Sequence, residues 1–125
     1  MALIKNKKRT CVIDGRVRVE SRILRHWYEE FNVDYFYAGL PEDCFLFWDE
    51  NIGRQDAYGR WYSAEDTGSG FPAIAITSSL RAKNAFGGTL LHEMIHVKVQ
   101  GGHGRRFEKE RRRLLRYRGV RDIVI

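Results

Sequence analysis

A chain of 125 residues has room for one hydrophobic core and little beyond it, so any functional site has to be assembled within a single domain. With 43% hydrophobic and 30% charged residues it has the composition of a globular protein, and no apolar run approaches the roughly 20 residues that span a bilayer. The net charge of +6 is concentrated at the ends: nine Lys or Arg lie between Gly101 and Arg121 against Glu108 and Glu110, whereas residues 10–100 hold nine basic and thirteen acidic side chains.

Residues 1–20 read as a basic N-terminal segment, with Lys5, Lys7, Lys8 and Arg9 and no apolar stretch of the kind a secretion signal carries. Cys11 and Cys44 are too few for a disulfide framework and form no C-x-x-C pair. They are expected as reduced thiols in a cytoplasmic protein. From Ser21 to Phe31 the apolar residues Ile23, Leu24, Trp27, Tyr28 and Phe31 recur at helical spacing, with Ser21 as N-cap and His26 on the polar face. Ala38-Gly39-Leu40-Pro41 ends that pattern. Three strand-like runs follow, Phe45–Trp48, Ala57–Tyr62 and Ala73–Thr77, and Trp27, Trp48 and Trp61 are expected to pack in the core.

Ser63 to Pro72 is rich in Gly, Ser and Asp and reads as an exposed loop. It contains Asp66-Thr67-Gly68-Ser69, the letters of an aspartic-protease signature. That chemistry needs the Asp on a tight turn after an apolar strand, and Ala64-Glu65 stands there instead. Ala73–Thr77 has two readings, a core strand or an edge to which an extended peptide adds. A second helix is predicted to begin near Phe86 to Thr89 and to end at Val99, before Gly101-Gly102. A third helix follows, apolar at Phe107, Leu114 and Leu115 and otherwise dominated by arginine. Residues 21–117 thus make one domain and 118–125 a tail.

The second helix carries His92-Glu93-Met94-Ile95-His96. Residues four apart on a helix lie about 40° apart around the axis and roughly 6 Å along it, so both imidazoles can share one ion. Glu93, beside the first ligand, can reach a water at the open coordination position without occupying it. A catalytic Zn2+ wants three protein ligands, and His103, after the flexible Gly101-Gly102, is the third candidate. Metzincins place that histidine one residue earlier, where Gly102 stands, and want glycine at Val99; this is not their spacing. Glu108 or Glu110 could replace it as a carboxylate ligand, but each has arginine partners close by in sequence. The chemistry expected of His92, His96, His103 and Glu93 is metal-assisted hydrolysis of a peptide bond, with Glu93 as general base.

With those residues in view, the chain resembles the Spartan-related, SprT-like family of zincin metallopeptidases. The resemblance spans Ser21 to Leu115. It rests on Tyr28-Glu29-Glu30-Phe31-Asn32, Tyr35-Phe36-Tyr37-Ala38-Gly39-Leu40-Pro41, Ala73-Ile74-Ala75-Ile76-Thr77, Leu90-Leu91-His92-Glu93-Met94-Ile95-His96 and, most discriminating, Gly102-His103-Gly104-Arg105-Arg106-Phe107. It implies an α+β, zincin-like fold, a small mixed sheet packed against an active-site helix and flanking helices. It also implies Zn2+ held by His92, His96 and His103 with Glu93 as base, and a protein or peptide substrate, including proteins associated with DNA. Many members continue into a zinc ribbon, for which this chain has no cysteine pair; small stand-alone versions, such as those of phages, are expected to look like this.

Arg105, Arg106, Lys109, Arg112, Arg113 and Arg116 are candidates for contacts to DNA or another polyanion, against the alternative of a solvated helix face paired with acidic groups. The competing reading of the whole chain is a zinc-stabilised nucleic-acid-binding or virion-associated protein with little proteolytic turnover. It would need no general base.

Overall fold

The structure is a computed structural model that describes residues 9–52, 58–120 and 125. It is a small α+β fold with five helices and two small sheets among those residues. Strands β1 (Thr10–Ile13) and β2 (Arg16–Val19) form an antiparallel hairpin in which Ile13 pairs with Arg16. The two loop residues, Asp14 and Gly15, both have positive φ, the conformation that matches a two-residue turn to the twist of its strands. Lys5, Lys7, Lys8 and Arg121 lie outside the described residues, as does Ala57 at the start of a predicted strand.

Helix α1 (Arg22–Phe36) starts on Ser21, whose hydroxyl accepts the Leu24 N–H at 3.2 Å. It runs five residues past the predicted end, and its buried positions are Leu24, Tyr28, Asn32 and Phe36. The expected apolar stripe was too wide: Ile23 and Trp27 face solvent, with Trp27 42% exposed, which corrects its assignment to the core. Asn32 is buried because its carboxamide clamps the following turn, accepting the Leu40 N–H at 3.0 Å and donating to the Leu40 carbonyl at 3.2 Å. His26 is exposed, as read.

The main sheet holds β3 (Phe45–Asp49), β4 (Gly59–Tyr62) and β5 (Ala73–Thr77) in the order β3-β5-β4, β3 parallel and β4 antiparallel to β5. All five residues of β5 are buried, as a central strand covered on both faces requires. The reading of β5 as an edge is therefore corrected; the edge strand beside the histidines is β4. One face of the sheet, through Leu46, Ile74 and Ile76, packs on α1 and on α4 (Gly87–Val99). The other, through Phe45, Phe47, Ala73 and Ala75, is covered by Cys11 and Ile13 of the hairpin.

The segment expected as a plain loop contains a one-turn helix, α2 (Ala64–Thr67), with a reciprocal cap: Ser63 Oγ accepts the Asp66 N–H and Asp66 accepts the Ser63 N–H. Asp66 is exposed and occupied in that cap, so the Asp-Thr-Gly-Ser letters are a helix terminus. A second short helix, α3 (Ser79–Ala82), leads to α4, and α5 (Arg105–Leu114) follows. No helix among the described residues is long and apolar enough to cross a membrane.

Candidate metal centre

Helix α4 is apolar nearly all round, with Leu90, Leu91, Met94, Ile95, Val97 and Val99 buried, so its few polar side chains are held in an interior setting. It ends at Gln100, which has φ 55° and donates its N–H to the His96 carbonyl. The left-handed residue that reverses the chain is thus Gln100, one position before the predicted glycines. Gly101 to Gly104 then carry His103 back toward the helix, and Gly104 caps α5.

This return brings three ring nitrogens together. His103 Nε2 lies 3.0 Å from His92 Nε2 and 3.1 Å from His96 Nε2, and the ligand atoms of all three lie within 4.8 Å of one another. Nitrogens bound tetrahedrally at the usual zinc distances stand about 3.3 Å apart, so this cluster has the dimensions of a three-histidine cation site. His96 Nδ1 donates to the Gly101 carbonyl at 2.6 Å, because a carbonyl can only accept. The neutral ring must then present a lone pair at Nε2. A single proton on His103 Nε2 can serve one of its two neighbours, leaving the other pair lone pair to lone pair; a cation at the point of convergence satisfies all three.

Electrostatics favour the same state. Burial, then the neighbouring His96 and His103 rings and Arg111, push His92 down to about 4. Burial also lowers His96, against the opposing hydrogen bond to Gly101, with a smaller lowering by His103. Both shifts favour the neutral ring, the form that ligates metal. Phe107 of α5 packs against the three imidazoles at centroid distances of 4.7–4.9 Å, and Trp61 of β4 lies parallel to His96, 6.1 Å away.

Glu93, 5% exposed, is one residue along from His92 with no hydrogen-bond partner among the described residues, and burial alone pushes its carboxyl up to about 7. Gly59 packs directly over it. A Cβ at position 59 would stand 2.8 Å from Thr89 Cγ2 and 3.0 Å from Glu93 Cγ and Oε2, so only glycine lets β4 approach this closely. Gly59→Ala is therefore expected to cost about 1–3 kcal/mol in urea unfolding through overpacking; unchanged stability would show that the contact relaxes freely. The cleft in front of these groups, about 640 Å3, is lined by Tyr58, Gly59 and Trp61 on one side and Gly88, Thr89, His92 and Glu93 on the other.

The alternative carboxylate ligands are engaged elsewhere. Glu108 pairs with Arg111 and Arg112, and buried Glu110 with Lys98 and Arg113. The six cationic candidates Arg105, Arg106, Lys109, Arg112, Arg113 and Arg116 do line one cleft, with Lys98, on the flank of α5. The sequence reading gave no role at the site to Gly59, Trp61, Phe107 or the Gly101 carbonyl. Gly59 carried a signal as a glycine within a strand-like run, and Phe107 as the end of the Gly102–Phe107 segment on which the resemblance rests.

No family model matches the chain, and no curated protein or solved structure matches it.

Proposed function

We propose that the chain is a zinc-dependent metallopeptidase of zincin type, related to the SprT-like family. One observation carries the reading: His92, His96 and His103 converge through Nε2 while Glu93 stands beside them, buried and without a partner among the described residues, at the wall of an open cleft. Three protein ligands leave a coordination position free, whereas a structural zinc closes its sphere with four. A base beside that position has no use in a purely structural site, so the geometry favours hydrolysis over the zinc-stabilised binding protein.

Bound there, zinc supplies Lewis acidity and lowers the pKa of a water. The protein's own contribution is positional. Gly101 fixes the tautomer of His96, Phe107 and Trp61 restrict the ring planes, and apolar surroundings strengthen charge interactions in the site. Glu93 takes a proton from the attacking water and returns it to the leaving amine.

The substrate backbone has a docking edge. Thr77 donates its N–H to the Tyr58 carbonyl, and the alternation of an antiparallel ladder then turns the backbone of Arg60 and Tyr62 toward β5 and that of Gly59 and Trp61 outward into the cleft. An extended peptide adding to β4 through those groups lies alongside Glu93 and the histidines. Zinc-loaded protein is expected to cleave unfolded casein or a fluorogenic peptide mixture, to stop with 1,10-phenanthroline and to recover with added zinc. Cleavage indifferent to chelation, or none from fully loaded protein across such a mixture, would contradict the proposal.

A further inference from the structure

One wall of the cleft in front of the histidines comes from outside β4 and α4. Ile125, in the chain beyond α5, lines it together with Tyr58, Trp61, His92 and His103. Ile125 is half-buried and packs, as Trp61 does, against the core cluster that includes Leu90, Met94 and Phe107. An aliphatic side chain seated between that apolar cluster and a polar centre marks an apolar recess within the cleft.

Arg111 holds it there. Arg111 stands four residues after Phe107 on α5, so it projects from the helix face on which Phe107 meets the three imidazoles. Its Nε donates to the main-chain oxygen of Ile125 at 3.1 Å, and its Nη1 donates to Glu108 Oε1 at 3.2 Å. Nη2 donates to no acceptor among the described residues. In a planar guanidinium Nε–H and one Nη2–H leave the same edge in parallel, and that edge is the one turned to Ile125. Glu108 steadies the group from the other side. The result is a two-donor edge beside the metal centre, aimed at a main-chain oxygen and with one donor spare. A main-chain oxygen is what every extended peptide brings into the cleft.

We infer that Arg111 is a substrate-binding residue, and that Ile125 lies where one apolar substrate residue binds, its carbonyl on the Arg111 edge and its side chain in the recess. The inference rests on the peptidase reading and adds to it a subsite and an aliphatic preference. Gly59 and Trp61 of β4 offer main-chain groups from across the cleft, so the peptide is gripped on both sides. Ile125 competes in cis for the same place, and the apparent affinity for a peptide is scaled by the fraction of molecules whose recess is vacant.

Fluorescence anisotropy of the zinc-loaded full chain tests this, with Glu93→Gln present throughout to suppress turnover. The probe is a labelled, N-acetylated and C-amidated octapeptide alternating alanine and isoleucine, and its counterpart has serine in place of isoleucine. Adding Ile125→Gly should tighten the isoleucine peptide at least about fivefold and leave the serine peptide within about twofold, because only the first fills the recess. Adding Arg111→Ala to that protein should then weaken the isoleucine peptide at least about tenfold, the worth of a hydrogen bond from a charged donor. Glu108→Gln in place of Arg111→Ala removes the ion pair but keeps the guanidinium, and should change binding by less than about twofold, since an exposed pair is worth little. An isoleucine peptide bound no more tightly after Ile125→Gly, or Arg111→Ala without effect on it, would overturn the inference. So would Glu108→Gln as damaging as Arg111→Ala, which would reduce Arg111 to a helix-pairing role. These measurements need no cleavage: the expected binding by a chain that hydrolyses nothing would contradict the peptidase reading and uphold the subsite.

Discussion

Glu93→Gln is expected to retain zinc, to lose peptide cleavage by roughly 10²- to 10⁴-fold, the worth of a positioned general base, and at the same time to make the metal-free protein more stable at pH 8. The second effect follows from burial. The Glu93 carboxyl titrates near 7 in the folded chain against an ordinary value of 4.5, so the folded state holds a proton that the unfolded state has released between those limits. Its contribution is complete below pH 4.5 and is lost as pH rises through 7. At 1.36 kcal/mol per unit, the metal-free wild type forfeits about 3 kcal/mol by pH 8, and the neutral glutamine removes that loss. His92, lowered to about 4, acts in the opposite sense, adding stability that is present above about 6.5 and lost as pH falls through 4. It is common to both proteins and cancels in the comparison. Thermal unfolding in chelator should therefore give matching midpoints near pH 4.5 and a variant higher by on the order of 10 °C at pH 8. Equal midpoints at both pH values would mean that Glu93 is solvated in the metal-free state, and undiminished cleavage would remove it as the base.

His103→Ala is expected to weaken zinc binding by more than about 100-fold, since loss of a residue that merely supports a ligand already costs 10- to 100-fold. His103 is exposed on the loop after α4, so the metal-free variant should unfold like the wild type. The difference appears on adding metal. At a free zinc concentration 1,000 times its dissociation constant the wild type gains about 4 kcal/mol by mass action, and the variant at the same concentration gains far less. Competition against a chromophoric chelator measures the affinity directly. A variant that binds zinc as tightly as wild type would show that the third ligand lies elsewhere.

How far the sequence could be read depended on how local each feature is. His92 and His96 share a face through helix geometry alone, and the Gly-rich hinge made His103 reachable, so the histidine cluster was legible before any packing was known. The centrality of β5 was not. Its four apolar residues and Thr77 fit a buried strand of either position, and only the order β3-β5-β4 makes β4 the edge at the cleft. On α1 the apolar residues covered two adjoining stripes, and the choice of Leu24, Tyr28 and Phe36 over Ile23 and Trp27 came from the turn that Asn32 clamps, a role that a polar residue conceals. The Asp14-Gly15 turn was written in the chain between alternating apolar residues and was passed over as part of a basic segment. Glu93 illustrates the remaining gap: its type and position predict a base, but the burial that raises its pKa comes from elements distant in sequence, Gly59 among them.

Fold and candidate site meet in α4, which serves at once as the central packing helix and as the carrier of His92, His96 and Glu93. The ring of Phe107 ties α5 to that centre, and β4 closes the other side with Trp61 and Gly59. Zinc K-edge X-ray absorption on the wild-type chain loaded with one equivalent of zinc tests the central claim most directly. The account predicts three imidazole nitrogens at about 2.0–2.1 Å with one further light-atom ligand. A sulfur at about 2.3 Å, which would implicate Cys11 or Cys44, or a shell of oxygens without imidazole scattering, would contradict it.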